Sequence, residues 1–322
     1  VKKKIISILK VVIPLIIGAV FIFIFFRNTS AQDRITILDA IKKANFNFIY
    51  LSLFFGTLSH LSRAYRWNYM LKPLGYNSKL ITNTMAILIG YLVNLGIPRS
   101  GEIFRATIIT TYSKIPFEKN FGTILVERTI DIIMLLLVCG LAFFLEYDLF
   151  IKIFQKKEDN SIFIILAILI LGGLFFLFIR WAKKSNNSIA VKILKKLKGI
   201  WEGIIVVFKM KKKIAYLLHT LFIWAMYILM FYVVKYSFPE MQTLGFSPML
   251  LGFIAGALSI STTNGGIGVY PIAVSLVLMS YGISKEISLA FGWVMWAGQT
   301  VLIVVFGALS FLGLPFINKV KN

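Results

Sequence analysis

The sequence predicts an all-α, polytopic transmembrane bundle, and three observations carry that prediction. Of 322 residues, 58% are hydrophobic and only 15% charged, well away from the soluble balance of about 25% charged. Uncharged stretches long enough to cross a bilayer, about 20 residues each, recur along the chain. Two of these stretches are broken by Gly, Pro and polar residues in mid-run, a pattern of re-entrant helical hairpins. A soluble enzyme, a secreted disulfide scaffold and a disordered tail are excluded. The lone cysteine, Cys139, allows no intrachain disulfide. The 35 Lys+Arg against 13 Asp+Glu do not point to nucleic acid, because most of the chain is apolar.

Clear spans are predicted at Val11–Phe26, Phe48–Leu61, Phe121–Leu145, Ile162–Ile179 and Ile214–Val234. The first follows Lys2, Lys3, Lys4 and Lys10 and has a passable cleavage site at Ser30-Ala31, so it reads as a signal peptide or as a retained signal anchor. The anchor is preferred because further spans follow. Basic loops favour the cytoplasm. The most basic runs from Arg180 to Lys213 with Glu202 as its one acid, and Arg63–Lys79 carries four basic residues and no acid. Both are placed inside, with both termini, in the cell (inner) membrane.

That assignment holds only if Leu80–Pro98 enters from the cytoplasm and returns. Arg63 to Lys119 then stays inside, and Glu146–Asn160 faces out with four acids and three lysines. The break at Asn94-Leu95-Gly96-Ile97-Pro98-Arg99-Ser100-Gly101 supplies the corner. Met241 to Ser284 has 44 residues without a charge, interrupted by Ser259–Gly268. It reads as a second hairpin entering from outside with its corner near Asn264-Gly265-Gly266, or as two full spans, Met249–Thr263 and Ile267–Tyr281. Ile287–Ile317 leads back to a C-terminus with Lys319 and Lys321. Opposed hairpins meeting near the midplane are how many transporters build a binding site.

Candidate binding residues gather at these breaks. Arg99 and Arg105 flank Glu102 just after Gly101, and a guanidinium fork suits phosphate. The bland alternative is ordinary loop charges. His60, Arg63 and Trp67 share one helix face with Arg66 adjacent, as interfacial anchors or lipid-phosphate contacts. Glu127, Arg128 and Asp131 lie two turns inside a span at helical spacing, as a structural clamp or a headgroup or proton site. Gly265, Gly266 and Gly268 allow close backbone approach. Carboxylates are too sparse for an Asp-rich metal site, and no nucleotide motif is present, so neither metal nor cofactor is expected. Ile189–Phe208 alternates apolar residues with Lys192, Lys195, Lys196 and Lys198, the pattern of a basic amphipathic helix on a leaflet.

These blocks resemble the lysylphosphatidylglycerol synthase transmembrane (flippase-like) family. The matching residues are Arg63 to Trp67 (Arg-Ala-Tyr-Arg-Trp), then Asn94, Pro98, Arg99, Gly101, Glu102 and Arg105, then Glu127-Arg128 with Asp131, and Gly265-Gly266-Ile267-Gly268. The resemblance implies one flippase-like domain over 1–322, related to the domain that moves aminoacylated phospholipids between leaflets, with relatives in hopanoid and polyprenyl-glycolipid pathways. Two positions depart from the pattern: Asn264 stands where a proline often does, and Pro271 where a glutamate is expected. The soluble aminoacyl-transferase domain is expected to be missing, since the sequence stops at Asn322.

The resulting expectation is a lipid translocase, not an enzyme, that moves a phospholipid or polyprenyl-glycolipid headgroup between leaflets. Its partners would be lipids with anionic phosphate headgroups and a lipid-biosynthesis enzyme. The rivals are an integral-membrane lipid-modifying enzyme and a non-transporting scaffold.

Overall fold

The structure is a computed structural model and describes residues 30–97, 100–147, 207–263 and 265–317. The predicted spans Val11–Phe26 and Ile162–Ile179, Pro98, Arg99, Asn264 and all but the last residues of the basic helix at 189–208 lie outside the described residues. Every regular element among the described residues is helical. The helices are α1 (Ala31–Lys43), α2 (Phe46–Leu71), α3 (Leu80–Gly96), α4 (Gly101–Ser113), α5 (Phe117–Leu145), α6 (Lys213–Val233), α7 (Phe246–Thr262), α8 (Val269–Ser280) and α9 (Lys285–Ile317). Short 3-10 turns follow α2 at Lys72–Leu74 and α6 at Val234–Ser237 and Pro239–Met241. Contacts divide the chain into two compact units, Val1–Ile124 with Met210–Asn322, and Leu125–Lys209.

Phe117–Leu145, Lys213–Ser237 and Lys285–Ile317 are each long and apolar enough to cross a membrane. The chain is an integral, multi-pass membrane protein, and its many exposed large apolar side chains, such as Leu136, Leu218, Leu276 and Phe316, are what a lipid-facing surface requires.

The predicted span Phe48–Leu61 is in fact the first part of a longer helix. Asn45 caps α2 by accepting a hydrogen bond from the Asn47 backbone N–H at 3.1 Å, and the helix continues past Arg63 and Arg66 to Leu71. Charge does not end it, because both arginines are buried among partners instead of leaving for water.

In the first unit α2 and α6 run antiparallel. Ser52 Oγ donates to the Met230 carbonyl at 2.7 Å, and Ser62 Oγ lies 2.8 Å from His219 Nδ1. At one end of the pair the Asn45 carbonyl accepts from Ser237 Oγ and the Asn45 N–H donates to the Ser237 carbonyl. The other end of the pair holds Leu71, the last residue of α2, and Lys213, the first of α6.

Two helical hairpins pack beside this pair. In the first, α3 and α4 are joined over residues 97–100, with Ser78 and Ser113 hydroxyls 2.8 Å apart at its open end. The helices touch through glycine: a Cβ at Gly101 would overlap the Gly90 carbonyl oxygen and lie 2.7 Å from Asn94 Cγ. In the second, α7 and α8 are joined over residues 263–268, and its open end lies beside the far end of α6, where the Tyr232 and Phe246 rings are 5.9 Å apart. Here Gly265, Gly266 and Gly268 take φ of 62°, 74° and 72°, a region that costs residues with a Cβ.

The hairpins therefore open toward opposite ends, and their corners meet: a Cβ on Gly265 would sit 3.0 Å from Leu95 Cδ2. Helix α9 runs along both. Trp296 Nε1 donates to the Gly265 carbonyl at 2.8 Å, Gly292 lies against Pro271, and Gly307 against Leu88 and Leu92. With 17, 13, 17 and 12 residues, the four arms are about 18 to 26 Å long at 1.5 Å per residue. Each falls short of the roughly 30 Å hydrocarbon core.

Candidate functional site

Arg63, Arg66 and Arg105 are only 3%, 1% and 3% exposed, and each guanidinium lies against an aromatic ring. Arg105, one turn into α4, places its Cζ 3.7 Å from the centre of the Trp67 ring on α2. Arg66 Cζ is 5.1 Å from the Tyr216 ring on α6, and Arg63 Cζ 5.9 Å from Tyr227. A desolvated cation over an aromatic face gains on the order of 2 kcal/mol, which offsets part of the cost of taking a charge out of water.

Hydrogen bonds fix this layer. Trp67 Nε1 donates to Thr123 Oγ1 at 2.8 Å, Thr123 Oγ1 to the Asn120 carbonyl at 2.7 Å, and Asn120 Nδ2 to the Ala106 carbonyl at 2.9 Å. This chain of bonds leads from the Trp67 ring back to the residue beside Arg105. Arg66 Nη1 donates to Thr220 Oγ1 at 2.7 Å, and Thr220 Oγ1 to the Tyr216 carbonyl at 2.9 Å. On the other flank of α2, Asn83 Nδ2 reaches the Ala64 carbonyl and Asn68 Oδ1 at 3.2 and 3.1 Å.

The first hairpin delivers Arg105 to this layer. Asn94 Oδ1 accepts the Gly101 N–H at 2.7 Å, satisfying one of the free donors at the start of α4. Glu102 stands in that first turn, half-buried, where the helix dipole favours negative charge. The glycines of the second corner lie on the far side of Leu95. Thus Arg63, Arg66 and Arg105 are each buried against an aromatic ring along α2 and α6, Arg63 deeper along α2 than Arg66, while Asn94, Gly101, Gly265 and Gly266 build the hairpin corners.

In the second unit, Arg128 Nη1 and Asp131 Oδ2 are 3.6 Å apart one helical turn from each other, and Glu127 is 1% exposed. Among the described residues, no three His, Cys, Asp or Glu gather as ligands for a metal ion.

Sequence reasoning leaves Arg63 and Arg66 as interfacial anchors or lipid-phosphate contacts; the structure buries both side chains within the protein. It missed Tyr216, Thr220, Tyr227 and Thr123 as their partners, because these belong to helices distant in sequence and no local spacing links them. It also missed Gly90, whose only signal was its place one residue before Tyr91 in an otherwise apolar run.

The chain is similar to a UPF0104 membrane protein of Pyrococcus horikoshii, 23% identical over 302 residues that span 86% of this chain and 89% of that protein. A UPF0104 membrane protein of Methanocaldococcus jannaschii is 29% identical over 129 residues, 39% of this chain and 38% of that protein. Glycosyltransferase AglD of Haloferax volcanii is 37% identical over 81 residues, 25% of this chain but only 12% of that protein. No solved structure matches the chain significantly. The family model described as lysylphosphatidylglycerol synthase TM region matches residues 11–307, so the buried arginines, the glycine corners and the helices that carry them belong to a member of that family.

Proposed function

We propose that this protein is a lipid translocase, not an enzyme, and that Arg63, Arg66 and Arg105 receive the anionic phosphate of a phospholipid or polyprenyl-glycolipid headgroup as it passes between leaflets. The observation that carries the reading is the burial of three guanidinium groups between α2, α4 and α6, each against an aromatic ring. Ionisable groups held inside a membrane bundle mark substrate paths more often than they add stability. A phosphate meeting these guanidinium groups exchanges its hydration for fixed cations, so that neither partner is buried alone. The matched family takes its name from lysylphosphatidylglycerol synthase, a protein named for a lipid, which agrees with lipid substrates.

The two hairpins are re-entrant in this reading, entering from opposite leaflets. Their short arms and touching corners favour it. Non-helical backbone at that depth must be buried in protein or line a wet cavity, as Gly265 is between Leu95 and Trp296.

The membrane would be the cell membrane, with the Leu71–Lys213 end cytoplasmic. That end exposes Lys72, Lys79, Lys114, Lys119, Lys211, Lys212 and Lys213 against Glu118. The opposite end sets Lys42, Lys43 and Lys285 against Asp39, Glu240 and Glu286. The excess of Lys and Arg belongs inside.

Leaflet-resolved lipid transport in reconstituted vesicles tests the function. Loss of transport in Arg66→Gln and Arg105→Gln, in folded protein, is the expected result. Wild-type rates from both variants, or no transport by the unaltered protein with any phospholipid, would overturn it.

A further inference from the structure

Deeper than Arg66 and Arg105, a second group of polar side chains surrounds the Tyr227 ring. The His60 ring centre is 6.3 Å from it, the Trp224 ring centre 6.4 Å and Arg63 Cζ 5.9 Å. Tyr91 of α3 closes the far side of His60 at 5.2 Å. The group thus joins α2, α3 and α6. His60 lies about 17 Å from the Leu71 end of α2 at 1.5 Å per residue, near the middle of a helix that spans Phe46–Leu71.

Two polar atoms in this group are buried with no hydrogen-bond partner among the described residues: Trp224 Nε1 and His60 Nδ1. Trp224 is 8% exposed, and its indole N–H can only donate. The same residue type elsewhere in the fold is satisfied, since Trp67 and Trp296 each donate at 2.8 Å. Native structures rarely leave a buried donor unmet, and such a group is met by an ordered water, an ion or a bound acceptor. What the group offers is an indole donor, an imidazole nitrogen and an adjacent guanidinium. The complement is an anionic oxygen.

We infer that Trp224, His60 and Arg63 around Tyr227 form a second, mid-depth station for the phosphate oxygens of a lipid headgroup, separate from the shallower Arg66–Arg105 station. This rests on the translocase reading and deepens it. A headgroup would step inward by about 9 Å, the axial rise from residue 66 to residue 60. Tyr227 and Tyr91 would present their rings to the remainder of the headgroup.

Two measurements test the station. In the first, the indole N–H resonance of Trp224, assigned by its loss in Trp224→Phe, is followed in phospholipid-free dodecyl maltoside. Phosphatidylglycerol, diacylglycerol and inorganic phosphate are then added in turn. A downfield shift with phosphatidylglycerol alone is expected and identifies lipid phosphate. An equal shift with inorganic phosphate supports the site with a free anion as its source. No shift with either, or the same shift with diacylglycerol, overturns the station.

In the second, Trp224→Phe keeps the ring packing but removes the donor. It should slow transport about tenfold, the effect of one hydrogen bond to a charged group, while lipid retained on the Arg66–Arg105 station, measured by native mass spectrometry, is unchanged. Unaltered transport in Trp224→Phe, with transport lost in Arg105→Gln, would sink the mid-depth station and leave the translocase standing. If the unaltered protein moves no lipid, the functional reading falls, and the indole resonance still decides whether the station binds phosphate.

Discussion

Arg105 of α4 lies over the Trp67 ring of α2, with the guanidinium carbon 3.7 Å from the ring centre and both side chains almost wholly buried. The pair fastens the returning arm of the first hairpin to the long helix α2, so one contact both places a cation and holds a tertiary joint. A double-mutant cycle on Trp67→Leu and Arg105→Gln should give a coupling energy of about 1–2 kcal/mol, the range of a desolvated cation–π pair. Trp67→Leu alone should lower stability by about 3 kcal/mol or more, since it also orphans the Thr123 hydroxyl contact and leaves a cavity. Thermal unfolding in detergent reads both. Additive effects would show that the pair is proximity without interaction.

The first hairpin depends on glycine at one crossing. A Cβ on Gly101 would run into the Gly90 carbonyl oxygen and the Asn94 amide, and a Cβ on Gly90 would sit 2.9 Å from the Gly101 carbonyl oxygen. Backbone atoms on both sides leave little room to yield. Gly101→Ala should therefore cost about 3 kcal/mol or more, as severe overpacking does, and Gly90→Ala somewhat less. Gly122 of α5 is the control, because a Cβ there meets nothing within 4 Å. Gly122→Ala should be neutral or stabilising by up to about 1 kcal/mol, the helix propensity gain. The ranking is measured by thermal unfolding of the three variants in one detergent.

What was legible in the sequence follows from which forces are local. The broken runs at Asn94–Gly101 and Ser259–Gly268 were readable because Gly and Pro interrupt apolar periodicity within a few residues, and helices do end there, at Gly96 and Thr262. The true length of α2 was not readable. Arg63 and Arg66 looked like the end of a span, since only the distant Tyr216, Thr220 and Tyr227 make their burial tolerable. The same reason hid Trp224: a tryptophan in an apolar helix reads as packing until its unmet N–H is seen beside His60 and Arg63.

Orientation is tested by access from each side. With Cys139 replaced by alanine, a cysteine at Lys79 should react with a membrane-impermeant maleimide only from the cytoplasm, and one at Glu240 only from outside. Both positions are exposed and lie at opposite ends of the α2–α6 pair. Labelling of both from the same face would overturn the arrangement of charged ends.

The meeting of the corners carries the last prediction. Leu95 Cδ2 would lie 3.0 Å from a Cβ on Gly265, while the Gly265 carbonyl is held by Trp296 at 2.8 Å. If a headgroup crosses by moving these corners apart, tying them together should stop it. Leu95→Cys with Gly265→Cys, in a background lacking Cys139, should cross-link with a short bis-methanethiosulfonate reagent, and transport should fall to the rate of empty vesicles. Reduction should restore it to the rate of the uncross-linked double variant, which absorbs the cost of a side chain at φ 62°. Trp296→Phe removes the hydrogen bond to the same carbonyl and should lower stability by about 1 kcal/mol without blocking cross-linking. Full cross-linking with undiminished transport would mean that the corners stay closed throughout, and that lipid takes a path elsewhere on the protein.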